Sequence, residues 1–236
     1  MNLSALPELL LTWVKNQGTA LLQGDKPQAA TFQTGQQYDA KVVDHLTSGR
    51  HLVKIGGSTI TNTGANSYLG NTIVMQGNLM LAGPSMPTQE VVRGDLMMEI
   101  GPTGLSARVV LQNSNQLADT SLVYMSHPGN AGEIRFIFNG YDETFGGLSG
   151  TQSVRPIIVE AAADNVANRP ATMTLNVGAG EAYSYRGLMR DAAGAGGSNS
   201  LLSVMKVGLG TQEFAGGTVN YSGPTVITQG VLRLTD

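Results

Sequence analysis

The spacing of hydrophobic positions changes near residue 38. Over residues 4–23, Leu6, Leu9, Leu10, Trp13, Val14, Ala20 and Leu21 recur at helical spacing, with Glu8, Lys15, Asn16 and Gln17 mostly opposite. Ser4 suits the cap, Pro7 fits the first turn and Gly24 marks the stop, so this stretch predicts an amphipathic helix packed over an open end of the core. Residues 25–37 read as a linker. From Tyr38 the period becomes two: Tyr38–Val43 and Leu52–Ile55 alternate, joined by the turn-like Thr47-Ser48-Gly49-Arg50. Beyond them, short apolar or alternating runs are punctuated by Gly, Asn, Ser and Pro. They include Thr72–Met75, Asn78–Leu81, Leu96–Ile100, Ala107–Leu111, Glu133–Phe138, Val154–Val159, Met173–Val177 and Val231–Leu234. The nearest second helix, Glu160 to Asn168, is alanine-rich but short. Many short strands with regular turns mean a sandwich, a barrel or a solenoid.

An internal repeat chooses among these. Residues 54–81, KIGGSTITNTGANSYLGNTIVMQGNLML, align with 206–234, KVGLGTQEFAGGTVNYSGPTVITQGVLRL. Tyr68 matches Tyr221, Gly70 matches Gly223, Thr72 matches Thr225 and Gly77 matches Gly230. Leu79 matches Leu232 and Leu81 matches Leu234; upstream, Lys54-Ile55-Gly56 matches Lys206-Val207-Gly208 after a one-residue gap. The glycines sit where the chain turns sharply and a positive φ is open without a Cβ clash. Thr72-Ile73-Val74-Met75 and Thr225-Val226-Ile227-Thr228 are β-branched, as strands favour. The leucines alternate and are predicted to point inward. A strand–turn–strand unit that cannot bury its own apolar face must stack on its neighbours, which is the logic of a solenoid.

The segment GANSYLGNTIVMQGNLML resembles the autotransporter-associated β-strand repeat, and residues 202–234 resemble a second copy. FNGYDETFGGLSG (138–150) and MTLNVGAGEAYSYRGLMRD (173–191) resemble segments that lie between such repeats. Two departures are Asn78, in place of a small residue, and a first copy shortened at Gly57-Ser58. The resemblance implies an all-β, right-handed parallel β-helix exported to the bacterial surface as a stalk, fibre element or adhesin. TGQQYDAKVVDHLTSGRHLVKIGG is also similar, faintly, to segments of flagellar hook-length-control proteins. The expected organisation is an N-terminal helix and linker over 1–37 and a β-helix over 38–236. With no export signal at the start and no translocator barrel at the end, the chain reads as a fragment, an engineered cut or a protein exported by another route. Strand edges at the ends of such a rod template association, so end-to-end self-association is the expected partner contact, beside a host-surface or glycan ligand.

Composition narrows the roles. The 236 residues carry 14 Lys+Arg against 17 Asp+Glu, a net charge of −3, and 31 glycines. Charged residues are 13% of the chain, against about 25% in ordinary globular domains. Hydrophobic residues reach 41%, too many for a disordered chain, and an acidic balance does not suit a nucleic-acid backbone. No cysteine is present and only three histidines, which excludes disulfides and thiolate metal sites. No apolar run is long enough for a membrane-spanning helix.

Candidate chemistry is thin. Ser203 and Lys206 have the Ser-x-x-Lys spacing of penicillin-binding enzymes but lack the partner motifs, and Lys206 is the repeat lysine. Arg93-Gly94-Asp95 spells a tripeptide that integrin-binding adhesins display, here between Val91-Val92 and Leu96-Met97-Met98; it is the candidate adhesion loop, or a simple turn. A polysaccharide-degrading β-helix enzyme needs convergent carboxylates, yet the acids are scattered. Asp142-Glu143 is the one adjacent pair weighed, and neighbours on a strand face opposite sides. Glycine-rich 178–180 and 192–197 lack phosphate-loop context. The reading is a structural, non-catalytic solenoid with no catalytic residue, cofactor or metal site.

Overall fold

The computed structural model describes residues 40–45, 49–64, 69–86, 90–100, 106–127, 131–152, 155–164, 167–192, 199–216 and 219–236, with backbone alone for 40–45, 49, 50 and 152. The predicted helix over 4–23 and Tyr68 lie outside the described residues.

The described chain is all β, wound so that successive strands fall on one of three faces. The first face stacks nine strands in the order β1 (Ala40–His45), β2 (Gly49–Lys54), β4 (Thr72–Val74), β6 (Leu96–Glu99), β8 (Leu122–His127), β11 (Gly147–Gln152), β14 (Ala182–Arg186), β17 (Thr211–Ala215) and β20 (Val231–Thr235). A second face stacks β3 (Thr59–Asn62), β5 (Gly77–Leu81), β7 (Ala107–Leu111), β9 (Ile134–Ile137), β12 (Ile157–Glu160), β15 (Leu188–Arg190) and β18 (Val219–Asn220). The third is β10 (Glu143–Phe145), β13 (Ala171–Asn176), β16 (Leu202–Val207) and β19 (Thr225–Ile227). Every pairing is parallel except β1 with β2, which is antiparallel. The alternating runs at the start therefore form an antiparallel pair, and the solenoid proper begins at β2.

Side-chain alternation fills the interior. Leu79, Leu81, Val109, Leu111, Phe136, Val159, Met173, Leu175 and Met189 are fully buried and belong to one continuous core. Each fully buried apolar side chain of this kind contributes about 1.5–3 kcal/mol. Phe136 lies 5.0 Å from Phe138 and 6.1 Å from Phe145, ring centre to ring centre. Glycine makes room for the larger rings. A Cβ on Gly187 would stand 2.4 Å from the Tyr185 hydroxyl, which donates to the Ile157 carbonyl at 3.0 Å.

Where the backbone ladder breaks, a side chain replaces it. Buried Gln212 accepts from the Leu148 N–H at 3.0 Å and donates to the Leu148 carbonyl at 2.7 Å, across 64 residues of sequence. Coil length is uneven. Hydrogen-bonded partners on adjacent coils are 20 residues apart at His51 and Asn71 but 31 apart at Arg169 and Ser200. The longer coils carry a third strand and the segments that lead into it.

Candidate functional site

The two repeat copies build the same corner. Lys54 and Lys206 are fully buried, yet each ammonium has three backbone carbonyls. Lys54 Nζ donates to Ile55 O at 2.9 Å, Gly56 O at 2.7 Å and Gln76 O at 3.1 Å. Lys206 Nζ donates to the carbonyls of Val207, Gly208 and Gln229. An ammonium carries three donors, and here all three face carbonyls that the bend turns away from the ladder. Burial pushes the Lys206 amine below its ordinary value. The backbone bonds match too: Met75 N–H to Lys54 O and Asn78 N–H to Ser58 O in one copy, Thr228 N–H to Lys206 O and Val231 N–H to Gly210 O in the other. Gly56 (φ 76°), Gly77 (75°), Gly208 (72°) and Gly230 (69°) are all left-handed. The copies nevertheless stand at different corners. The first joins the nine-stranded face to the seven-stranded face, and the second joins the four-stranded face to the nine-stranded one. Lys206 is thus a corner clamp, and Ser203 packs its hydroxyl toward Gly223.

The remaining scaffold residues divide by position. Thr72, Leu79 and Leu81 are buried. Gly70 and Gly223 are not left-handed; at Gly223 the constraint is close packing, since a Cβ there would stand 2.3 Å from the Leu202 carbonyl, and the Gly70 carbonyl in turn crowds Gly94, whose Cβ would stand 2.5 Å from it. Tyr221 shares a 2.7 Å hydrogen bond with Thr225. Leu232 packs against the core, whereas Leu234 is 68% exposed because β20 is the outermost strand.

Arg93-Gly94-Asp95 forms the corner entering β6. Arg93 is exposed. The Gly94 carbonyl accepts from Ser121 at 2.7 Å, and the Asp95 carboxylate accepts from the Leu122 N–H at 3.0 Å. Asp95 belongs to a wider pattern that sequence reading missed: carboxyl groups accept from backbone amides of neighbouring segments, several of them at the starts of strands. Asp142 accepts from Thr172 N–H at 2.7 Å, and Asp191 from Leu202 N–H at 2.8 Å and Ser222 N–H at 3.1 Å. Glu143 accepts from Gln116 N–H at 2.7 Å and Leu117 N–H at 3.2 Å. Asp142 is exposed and Glu143 buried, so the adjacent acids do face opposite sides.

Burial raises the Glu143 carboxyl to about 8, outweighing the amide donors at Gln116, Leu117 and Thr144, with Asp119 adding repulsion. A raised folded pKa means the native state holds the proton longer, so this group's contribution is greatest below about 4.5 and declines toward about 8. Urea midpoints of the wild type should fall between pH 5 and pH 8 more steeply than those of Glu143→Gln. Equal slopes would mean that Glu143 ionises normally.

The densest charge cluster lies on the outer side of the seven-stranded face. Arg135, 4% exposed, donates from Nε to Glu160 at 2.6 Å and forks onto both Asp164 oxygens at 3.0 and 2.8 Å. Arg190 donates to Glu160 at 2.9 Å and to Asp164 at 3.0 Å, and Glu133 links Arg135 to Arg108 at 3.4 and 2.8 Å. Burial pushes the Glu160 carboxyl up against the pull of both arginines. The hydrogen bond from Arg135 holds Asp164 below the usual carboxylate range. The formal charges of the three arginines and three acids cancel. Among the described residues, no group of three or more His, Asp or Glu side chains is placed to hold a metal ion. The Gly178 N–H donates to Glu181 at 3.0 Å in the turn between β13 and β14; 193–198 lie outside the described residues. No protein-family model, curated protein or solved structure matches the chain.

Proposed function

We propose that this chain is a structural, non-catalytic β-solenoid element of the stalk or fibre kind, working at the bacterial surface as the repeat resemblance implies. One observation carries the reading: carboxyl and ammonium groups that a catalytic cleft would turn toward a substrate here hold neighbouring coils together. Asp95, Asp142, Glu143 and Asp191 bind amides of adjoining coils, and Lys54 and Lys206 bind carbonyls of corners. Such bonds fix coil on coil.

End-to-end self-association is part of the proposal. Large apolar side chains are exposed on the outermost strands: Val219 on β18, Val226 and Ile227 on β19, Val231 and Leu234 on β20. An uncovered strand edge with apolar side chains invites a further strand. Negative-stain microscopy across a concentration series should show rods that pair or lengthen as concentration rises. The double variant Ile227→Lys/Leu234→Lys should stay as single rods with an unchanged β signal in circular dichroism. Single wild-type rods at every concentration would overturn the assembly proposal and direct the search for a glycan or host-surface ligand to the side faces. Turnover of a polysaccharide by the purified chain would overturn the non-catalytic reading.

A further inference from the structure

The nine-stranded face is apolar on both sides at one end only. Its inward positions, among them Val74, Leu96, Met98, Val123 and Met125, belong to the main core. The intervening residues point outward by strand alternation, and in β2, β4 and β6 these are Val53, Ile73 and Met97. They stand side by side, Val53 beside Ile73, Ile73 beside Met97 and Met97 beside Tyr124. With Ile55, Met75 and Tyr124 they form a hydrophobic cluster separate from the core. Val53 is 2% exposed, and Ile73 and Met97 are 4% exposed. Farther along the same outer row the chemistry changes. Tyr124 is followed by Ser149, and Ser184, Glu213 and Arg233 pair in sequence beyond it. An apolar outer stripe confined to three or four strands is the signature of a covered surface, because strands buried on both faces need a layer on each.

We propose that this stripe seats the chain's own residues 4–23 as an amphipathic helix lying against the side of the solenoid. Two observations select that occupant. The chain enters the sheet at β1, which pairs directly with β2, so whatever precedes Ala40 is delivered to the apolar end and not the polar one. The apolar residues Leu6, Leu9, Leu10, Trp13 and Val14 also match the stripe in extent. At 1.5 Å per residue they extend about 12 Å along a helix, and four strands at about 4.8 Å spacing cover about 14 Å. Residues 24–39 give the linker ample reach at about 3.3 Å per extended residue.

The chain has one tryptophan, Trp13, and no cysteine, so the test needs no background mutations. In the 236-residue chain, a nitroxide on Met75→Cys should quench most of the Trp13 emission, while the same label on Glu213→Cys should leave it unchanged. Quenching at Met75 must persist when labelled protein is mixed with an excess of unlabelled Trp13→Phe chain, which adds no emission of its own. Loss of quenching on mixing would overturn the proposal in favour of a second copy on the stripe. Ile73→Asp should shift Trp13 emission to the red with the β signal retained. Equal quenching from both labels, or solvent-like emission in the wild type, would also overturn it.

Discussion

Gly77→Ala is expected to cost about 2–5 kcal/mol and to lower the melting temperature of the whole solenoid, combining a left-handed penalty of about 1–2 kcal/mol with overpacking of about 1–3 kcal/mol. The added methyl would meet the carbonyl oxygens of Gly56 at 2.4 Å and Ser58 at 2.5 Å. Both belong to the preceding coil, and both are backbone, so neither can rotate aside. β5, which begins at Gly77, is enclosed between β3 and β7. The methyl therefore cannot be relieved without parting two coils. Gly230→Ala supplies a matched control. Its Cβ would stand 2.4 Å from the carbonyls of Gly208 and Gly210. Here β20 is the outermost strand and pairs only with β17, so it can swing away and take the clash with it. Global melting should change little, while hydrogen exchange of the β20 amides should accelerate to that of an open strand. Neighbour-only coupling between coils makes this difference possible. An unchanged melting temperature in Gly77→Ala would refute the corner geometry, and equal losses in both variants would mean that the last coil melts with the rest.

The sequence made the corners legible because everything that defines them is local. Lys-x-Gly, followed by Gln-Gly after one further coil, sets a bend, a left-handed glycine and an ammonium over three carbonyls, whichever faces the bend joins. Such portability also explains what the repeat could not convey. Two nearly identical segments occupy different corners: the coils between them are uneven, with hydrogen-bonded partners 20 residues apart at one place and 31 at another, and only the full path fixes the face. The inward setting of Leu79 and Leu81 and the opposite orientation of Asp142 and Glu143 followed from the period of two. Positions across coils did not follow from it. Asp95 meets Leu122 at a separation of 27 residues, Asp142 meets Thr172 at 30, and Asp191 meets Ser222 at 31. With uneven coils, no fixed spacing marks these partners. The expectation of left-handed φ at Gly70 and Gly223 does not hold; at Gly223 the requirement is crowding by Leu202 of the preceding coil.

The ion cluster is the feature least visible in sequence and the one with the other large expected effect. Arg108, Arg135, Glu160 and Arg190 lie on β7, β9, β12 and β15, successive strands of one face; Arg108 stands beside Arg135 and Glu160 beside Arg190 in neighbouring outer rows, so the cluster binds four coils. Arg135→Met should cost about 3–5 kcal/mol, as expected when one member of a buried pair is removed. The mechanism is desolvation: Glu160 has no exposed side-chain surface and would keep only Arg190. Burial already raises its carboxyl, and without Arg135 the carboxyl should rise further. The variant's deficit should therefore be largest at high pH and shrink on acidification, when Glu160 takes up a proton and no longer needs a cation. Arg135→Met/Glu160→Leu should recover much of the loss, since an apolar pair of similar volume often replaces a buried ion pair without penalty. Urea midpoints for wild type, both single variants and the double variant at pH 5 and pH 8 would complete the cycle. A single-variant deficit independent of pH would place the loss in the packing of the arginine stem instead of in the charge left behind. A double variant no better than Arg135→Met would mean that Asp164 and Glu133 also depend on Arg135 to stay folded against the sheet.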